Sequence, residues 1–273
     1  MSMLSEFSTM TVRPRLTNER VDLTGMVGLV LGIANEHSIA AGCARQFGLA
    51  GATLAATYPN DKAKPYVEEV TRTVPCELLL PCDVREAGAL ESVFDAVSTR
   101  YERLDFLLHA IAFAPREDLH GRVTDCSAAG FGIAMDVSCH SFIRAAKLAE
   151  PLMNEGGTLL TVTYFGSEHV VPHYGLMGPV KAALESSVRY ISAELGPKRI
   201  RVHAISPGPI STRAASGIEH FDELLAQAAA EAPEHHLISI EDVGALAAFL
   251  VSDSARMMTG TVIPVDGGQH VLS

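Results

Sequence analysis

Short apolar runs alternate with longer stretches of amphipathic spacing along most of this chain. The run at 28–32 is apolar and broken by glycine, as a buried parallel strand would be, and a stretch of helical apolar spacing follows from Ser38. The same alternation predicts strands at 52–57, 77–81, 104–111, 158–163, 200–205 and 261–265. Between them the spacing predicts helices at 63–74 and 89–101, a long helical stretch ending near 153, and helices at about 178–195 and 241–251. Strands alternating with helices imply a parallel sheet covered on both faces. With right-handed crossovers this becomes a Rossmann-like, doubly wound α/β domain of seven mostly parallel strands. That domain is expected over 22–273, with residues 1–21 as a flexible N-terminal arm.

Composition narrows the function classes. Of 273 residues, 48% are hydrophobic and 19% charged, enough apolar material for a large core and unlike a disordered chain. A net charge of −11 argues against a nucleic-acid-binding face. Five scattered cysteines without a C-x-x-C pair fit a reducing, cytoplasmic setting better than a disulfide framework. The close histidine groupings, His169 with His173 and His235 with His236, lack partners for a metal site, so no metal is expected. Neither a signal peptide nor a membrane span is expected from the polar N-terminal residues.

Two stretches carry candidate chemistry. Gly32 lies between a strand and a helix that Ser38 can cap, so backbone amides and a positive dipole end converge where a pyrophosphate could sit. The turn lacks G-x-G-x-x-G and is weak evidence by itself. Past the fifth predicted strand, Tyr164, Tyr174 and Lys181 lie where open α/β sheets bind ligands. A phenol near a cation is a plausible proton donor, its pKa lowered by the positive charge. Two ordinary tyrosines in a strand–loop–helix connection are the competing reading.

Several stretches in order carry a resemblance: Gly32-x5-Ser38-Ile39-Ala40, Cys82-Asp83-Val84, His109 to Pro115, Tyr174-x6-Lys181, Ser206 to Gly217 and Val265-Asp-Gly-Gly268. Together they resemble the short-chain dehydrogenase/reductases, and within them the NADH-dependent enoyl-acyl-carrier-protein reductases of bacterial fatty-acid synthesis. The interval between Tyr174 and Lys181 is the most specific element, since ketone-reducing relatives keep three intervening residues where this chain has six. The resemblance implies reduction of an enoyl thioester by hydride from NADH, leaving NAD+. Tyr174 would donate to the thioester oxygen, Lys181 would hold the nicotinamide ribose, and Tyr164 would line the pocket. Gly32, Ser38, Ile39, Asp83, Val84, Ala110, Ile111, Ala112, Ile210 and Thr212 would contact the cofactor. Phe113, Ala114, Met177, Ala214, Ile218 and Phe221 would form the acyl slot, partly on a helical segment at about 211–232. A cytoplasmic homotetramer is implied as well. A carbonyl reductase, or a nucleotide sensor with weak catalysis, are the alternatives on the same scaffold.

Three departures qualify the expectation. Pro179 interrupts the Tyr–Lys interval, so the helix is expected to begin near Gly178 with proline in its first turn. Glu219, Asp222 and Glu223 stand where the family carries basic residues for an acidic acyl carrier protein, and His235-His236 stands where Arg-Arg is common. Carrier docking is therefore expected to be weak or differently placed, or the substrate a less charged enoyl compound. Pro59 ends the second predicted strand where an acid or arginine would choose between NAD and NADP, while Lys62 and Lys64 lie close enough in sequence to reach a 2′-phosphate.

Overall fold

A computed structural model of the protein describes residues 21–210 and 237–272, together with residues 225, 230, 232, 233 and 235. The arm up to residue 20, and Thr212, Ala214, Ile218, Glu219, Phe221, Asp222, Glu223 and His236, lie outside the described residues.

Seven parallel strands form one sheet: β1 (Val27–Leu31), β2 (Thr53–Tyr58), β3 (Cys76–Pro81), β4 (Phe106–His109), β5 (Gly157–Val162), β6 (Ile200–Pro207) and β7 (Thr261–Val265). Their order is β3-β2-β1-β4-β5-β6-β7, and every neighbouring pair is parallel. β1 and β4 are buried along their whole length, as strands covered on both faces must be. The edge strand β7 is largely accessible and carries Pro264, which a central strand would not tolerate.

The helices form two layers. One core lies between the sheet and α1 (Ile39–Leu49), α2 (Lys64–Thr71) and the helix Ile240–Val251. Gly42 and Gly244 let the first and last of these touch: a Cβ on Gly42 would meet the Ile240 carbonyl oxygen at 2.3 Å. The opposite core packs α3 (Ala89–Tyr101), α6 (Ser141–Ala149) and α7 (Met177–Leu195) on the other face. A short α4 (Arg116–Leu119) and α5 (Ala128–Met135) follow β4; the helix Ile240–Val251 is α8, started by a Ser239–Asp242 capping box.

The long helical stretch predicted before residue 153 is segmented. A π-helical turn, Asp136–His140, joins α5 to α6, and a 3-10 turn, Glu150–Leu152, follows. β4 is also shorter than predicted. Its ladder ends at His109, so Ala110 and Ile111 belong to the loop beyond it. β1 and β4 are neighbours although β2 and β3 intervene in sequence, so the chain reverses its winding between them. That reversal is where open α/β sheets form a ligand crevice at the carboxyl ends of the strands.

Candidate active site

The crevice begins at Gly32, immediately past β1. Its φ is +106°, and a Cβ there would come 2.3 Å from the carbonyl oxygen of Ala110. Only glycine combines that conformation with so close an approach of the β1 and β4 loops. Ser38 then caps α1: its hydroxyl donates to the Asn35 carbonyl at 2.7 Å and accepts from the Ala41 amide at 3.3 Å. The turn is thereby closed on itself, and the positive end of α1 faces a cleft of about 470 Å³. Gly32, Ser38, Ile39, Asp83, Val84, Ala110, Ile111, Ala112 and Lys181 all line it, as do Phe113 and Arg85. Ile210 is instead partly buried against the core beneath α1 and α8.

Arg85 was not legible from the motifs. Its guanidinium holds the Asp83 carboxylate through contacts of 2.6 and 3.0 Å, and its backbone amide bonds the same oxygen. That grip holds the Asp83 carboxyl below the usual range. The guanidinium also stands 5.6 Å from the centre of the Phe113 ring. Phe113 therefore sits at the rim of the cofactor cleft rather than among the tyrosines. The π-helical turn fixes this rim, because Ser138 accepts from the Phe113 amide at 2.9 Å and donates to its carbonyl at 3.0 Å. Below it, the buried His109 contacts Thr161 and Ser141, and burial lowers its pKa to about 3, so it is neutral.

Tyr164 and Tyr174 meet beyond β5. Their ring centres are 4.8 Å apart and tilted by 59°, and a Cβ on Gly166 would strike the Tyr174 ring at 2.5 Å. Tyr174, Leu176, Met177, Val180 and Ala134 form an apolar cluster, with Ala114 and Tyr164 packed against it. α7 begins at Met177, one residue before the expected start, so Pro179 is its third residue rather than its second. The missing N–H is harmless, because amides in the first turn have no intrahelical partner. Gly178 already takes the Gly175 carbonyl at 3.1 Å. Tyr174 lies on the preceding turn, buried and in place.

Lys181 lines the cleft from α7, one residue past Val180 of the cluster. It is buried, and its Nζ donates to the Val162 carbonyl at 2.7 Å. Burial lowers its pKa to about 8, while the nearby Glu185 carboxylate acts in the opposite sense. Burial also pushes the Tyr164 phenol up to about 12. Tyr174 is raised too, by burial first and then by Tyr164 and Glu185. This reverses the lowering expected from a neighbouring cation: burial sets the sense of the shift, and the further contributions to Tyr174 come from Tyr164 and Glu185 rather than from Lys181. Tyr174 is consequently a protonated donor at neutral pH. Lys64, considered above for a 2′-phosphate, points elsewhere, toward Glu68 at 3.9 Å and over the Tyr58 ring, and Lys62 does not line the cleft.

Comparison with known proteins agrees with this geometry. The family described as enoyl-(acyl carrier protein) reductase matches residues 32–270. The chain is 43% identical over 251 residues to NADH-dependent enoyl-acyl-carrier-protein reductase 2 of Rhizobium meliloti, covering 92% of this chain and 94% of that one. The NADH-dependent reductase of Escherichia coli is also 43% identical, over 90% of this chain and 94% of its own. The crystal structure of the Anaplasma phagocytophilum enoyl-acyl-carrier-protein reductase in complex with NAD superposes with a TM-score of 0.89 at 40% identity, covering 93% of this chain and 97% of that one. The Bacillus cereus reductase, held with NADP+ and an indole naphthyridinone, gives 0.90 at 41% identity, covering 93% and 100%. The glycine turn and the buried lysine line one cleft, the two-tyrosine cluster packs at the start of the same helix as that lysine, and the chain belongs to the enoyl-acyl-carrier-protein reductase family of the short-chain dehydrogenase/reductase fold.

Proposed function

We propose that this protein reduces the α,β double bond of an enoyl thioester with NADH in fatty-acid synthesis. The observation that carries the reading is the position of Lys181, which lines the cofactor cleft from the same helix that supports the tyrosine cluster. The cleft suits a dinucleotide. Gly32 lets the loops after β1 and β4 close together at the cleft, α1 presents its amides, Asp83 offers a carboxylate to an adenine amine, and Val84 offers an apolar face. In this reading Thr212 belongs to the nicotinamide end, while Ile210, packed against the core, stays outside the cleft lining. Among the described residues, the cations lining the cleft are Arg85, already neutralised by Asp83, and Lys181 at the other end. A 2′-phosphate therefore finds, among the described residues, no free cation lining the cleft at its β2 end, which favours NADH.

NADH supplies a hydride from its nicotinamide when bound. Addition at the β-carbon moves negative charge onto the thioester oxygen, and a proton at the α-carbon completes the saturated product. Tyr174 donates a hydrogen bond to that oxygen, where charge develops, and Tyr164 packs beside it to position the thioester. Lys181 anchors the nicotinamide ribose through its ammonium. Ala114 and Met177 supply part of the acyl slot, with Ala214, Ile218 and Phe221 as its remaining wall and Phe113 at the mouth.

An acyl carrier protein is the proposed presenter of the substrate, weakly docked because Glu219, Asp222 and Glu223 repel an acidic partner. Four chains assemble in the cytoplasm through the accessible apolar residues of the helices flanking β4 and β5. Phe131, Ile133 and Ile143 on α5 and α6, and Tyr190 on α7, are all more than a third exposed.

Replacing Tyr174 by Phe is expected to lower kcat about 10²- to 10³-fold, read as NADH absorbance lost with a crotonyl thioester; full activity would remove Tyr174 from catalysis. The ratio of kcat/KM for crotonyl-carrier over crotonyl-CoA is expected to lie within about tenfold of unity, since exposed charges contribute modestly; a larger carrier preference would show that docking uses other residues. Light scattering is expected to give a four-chain mass, and Tyr190→Glu to shift it downward. A monomer in the parent protein would contradict the assembly.

A further inference from the structure

We infer that Glu185 is a positioning residue of the reductase centre, holding the Tyr164 turn in place and balancing the ammonium of Lys181 with one buried carboxylate. The inference rests on the reading of Tyr174, Lys181 and Tyr164 given above. Glu185 is 3% exposed and follows Lys181 by one helical turn, so both project from the same face of α7. Its Oε1 accepts from the Thr163 hydroxyl and from the Ser167 hydroxyl, both at 2.6 Å. Those lengths are typical of hydroxyls donating to an ionised carboxylate.

The two donors bracket one segment. Thr163 ends the extension of β5 and Ser167 ends the 3-10 turn Phe165–Ser167, with Tyr164 and Gly166 between them. One carboxylate oxygen thus fixes both ends of the turn that aims Tyr164 at Tyr174. Lys181 adds a third tie to the same stretch through the Val162 carbonyl. Without the clamp, the Tyr164 backbone would be held by the longer bonds of its own turn, from the Ser167 amide to the Tyr164 carbonyl at 3.0 Å and from the Glu168 amide to the Phe165 carbonyl at 3.1 Å.

The electrostatic half follows from what surrounds Lys181. On β4, His109 is neutral. From the π-helical turn, Cys139 is kept a thiol by burial, and Asp136 and His140 pair with each other at the surface. The tyrosines of the preceding turn are both protonated. Asp83 and Arg85, across the cleft, bind one another. Among the described residues, Glu185 is therefore the anion that offsets the burial of the ammonium, and burying a charge without such a partner is strongly unfavourable.

The test is NADH binding followed by fluorescence from pH 6 to 10, beside kcat with a crotonyl thioester. The parent protein is expected to lose NADH affinity as pH rises through about 8, where Lys181 gives up its proton. Glu185→Gln keeps an oxygen for the two hydroxyls but removes the charge, so that loss is expected to begin roughly one pH unit lower. Thr163→Val combined with Ser167→Ala keeps the charge and breaks the clamp. It is expected to leave the binding midpoint in place while kcat falls at least about tenfold, the scale of a misplaced group. Glu185→Asp, which retains charge but cannot span both hydroxyls, is expected to behave like that double variant and serves if the glutamine form does not fold. A midpoint for Glu185→Gln equal to the parent's, no loss of affinity in the parent near pH 8, or unchanged kcat in the double variant would each overturn the inference. Tyr174→Phe separates the two levels. If that variant stays active, the underlying reading fails; if it is inactive while Glu185→Gln titrates like the parent, the inference alone fails.

Discussion

The buried ammonium of Lys181, bonded to the last carbonyl of β5, is the contact on which the centre depends. It joins helix α7 to the sheet at the point where the chain leaves β5 for the two tyrosines. A lysine buried this deeply is unfavourable unless its donors are satisfied and a compensating charge is near. The Val162 carbonyl meets the first need and Glu185 the second. Because burial leaves the ammonium only modestly acidic, it still carries charge at neutral pH, which is what a ribose-anchoring group requires.

The rest of the crevice is arranged around that point by the order of the strands. β1 and β4 are neighbours in the middle of the sheet, and Gly32 allows their following loops to approach within van der Waals reach. The cofactor end of the cleft is set by backbone: a left-handed glycine, a capped helix start and the loop after β4. At the other end the lining comes from Val162 of β5 and Lys181 of α7, with the tyrosine cluster packed at the start of that helix. Lys181 lies where the two meet. Tyr174, desolvated by the cluster around it, stays protonated and is suited to donating a hydrogen bond rather than to acting as a phenolate base.

Much of this was legible in the sequence, and the exceptions share a cause. Apolar periodicity located all seven strands, since buried parallel strands read as continuous apolar runs. Asp83 was named only through the family resemblance, whereas Gly32 and Ser38 were legible because turn and cap chemistry is local in sequence. The π-helical turn at Asp136–His140 was not, because its spacing differs from an α-helix by one residue and its purpose, holding Phe113 through Ser138, lies 25 residues away. Glu185 on Thr163 and Ser167 was equally hidden, a contact between side chains that only the fold brings together, whereas Arg85 lies two residues from Asp83 and its grip is local to the turn after β3. The sense of the Tyr174 shift failed for a related reason, since proximity in sequence to Lys181 says nothing about how dry the phenol is. Pro179 was read as lying in the first turn of its helix, and it does, although the helix starts one residue earlier than its position suggested.

Transfer of hydride to carbon, beside Lys181 and under the hydrogen bond of Tyr174, is the central chemical claim. It is tested most directly by mass spectrometry of the product formed from a crotonyl thioester and NADH carrying deuterium at both C4 positions. The account predicts a saturated thioester with one deuterium, placed on the β-carbon. An unlabelled product, or deuterium on a carbinol carbon formed from the carbonyl, would contradict it.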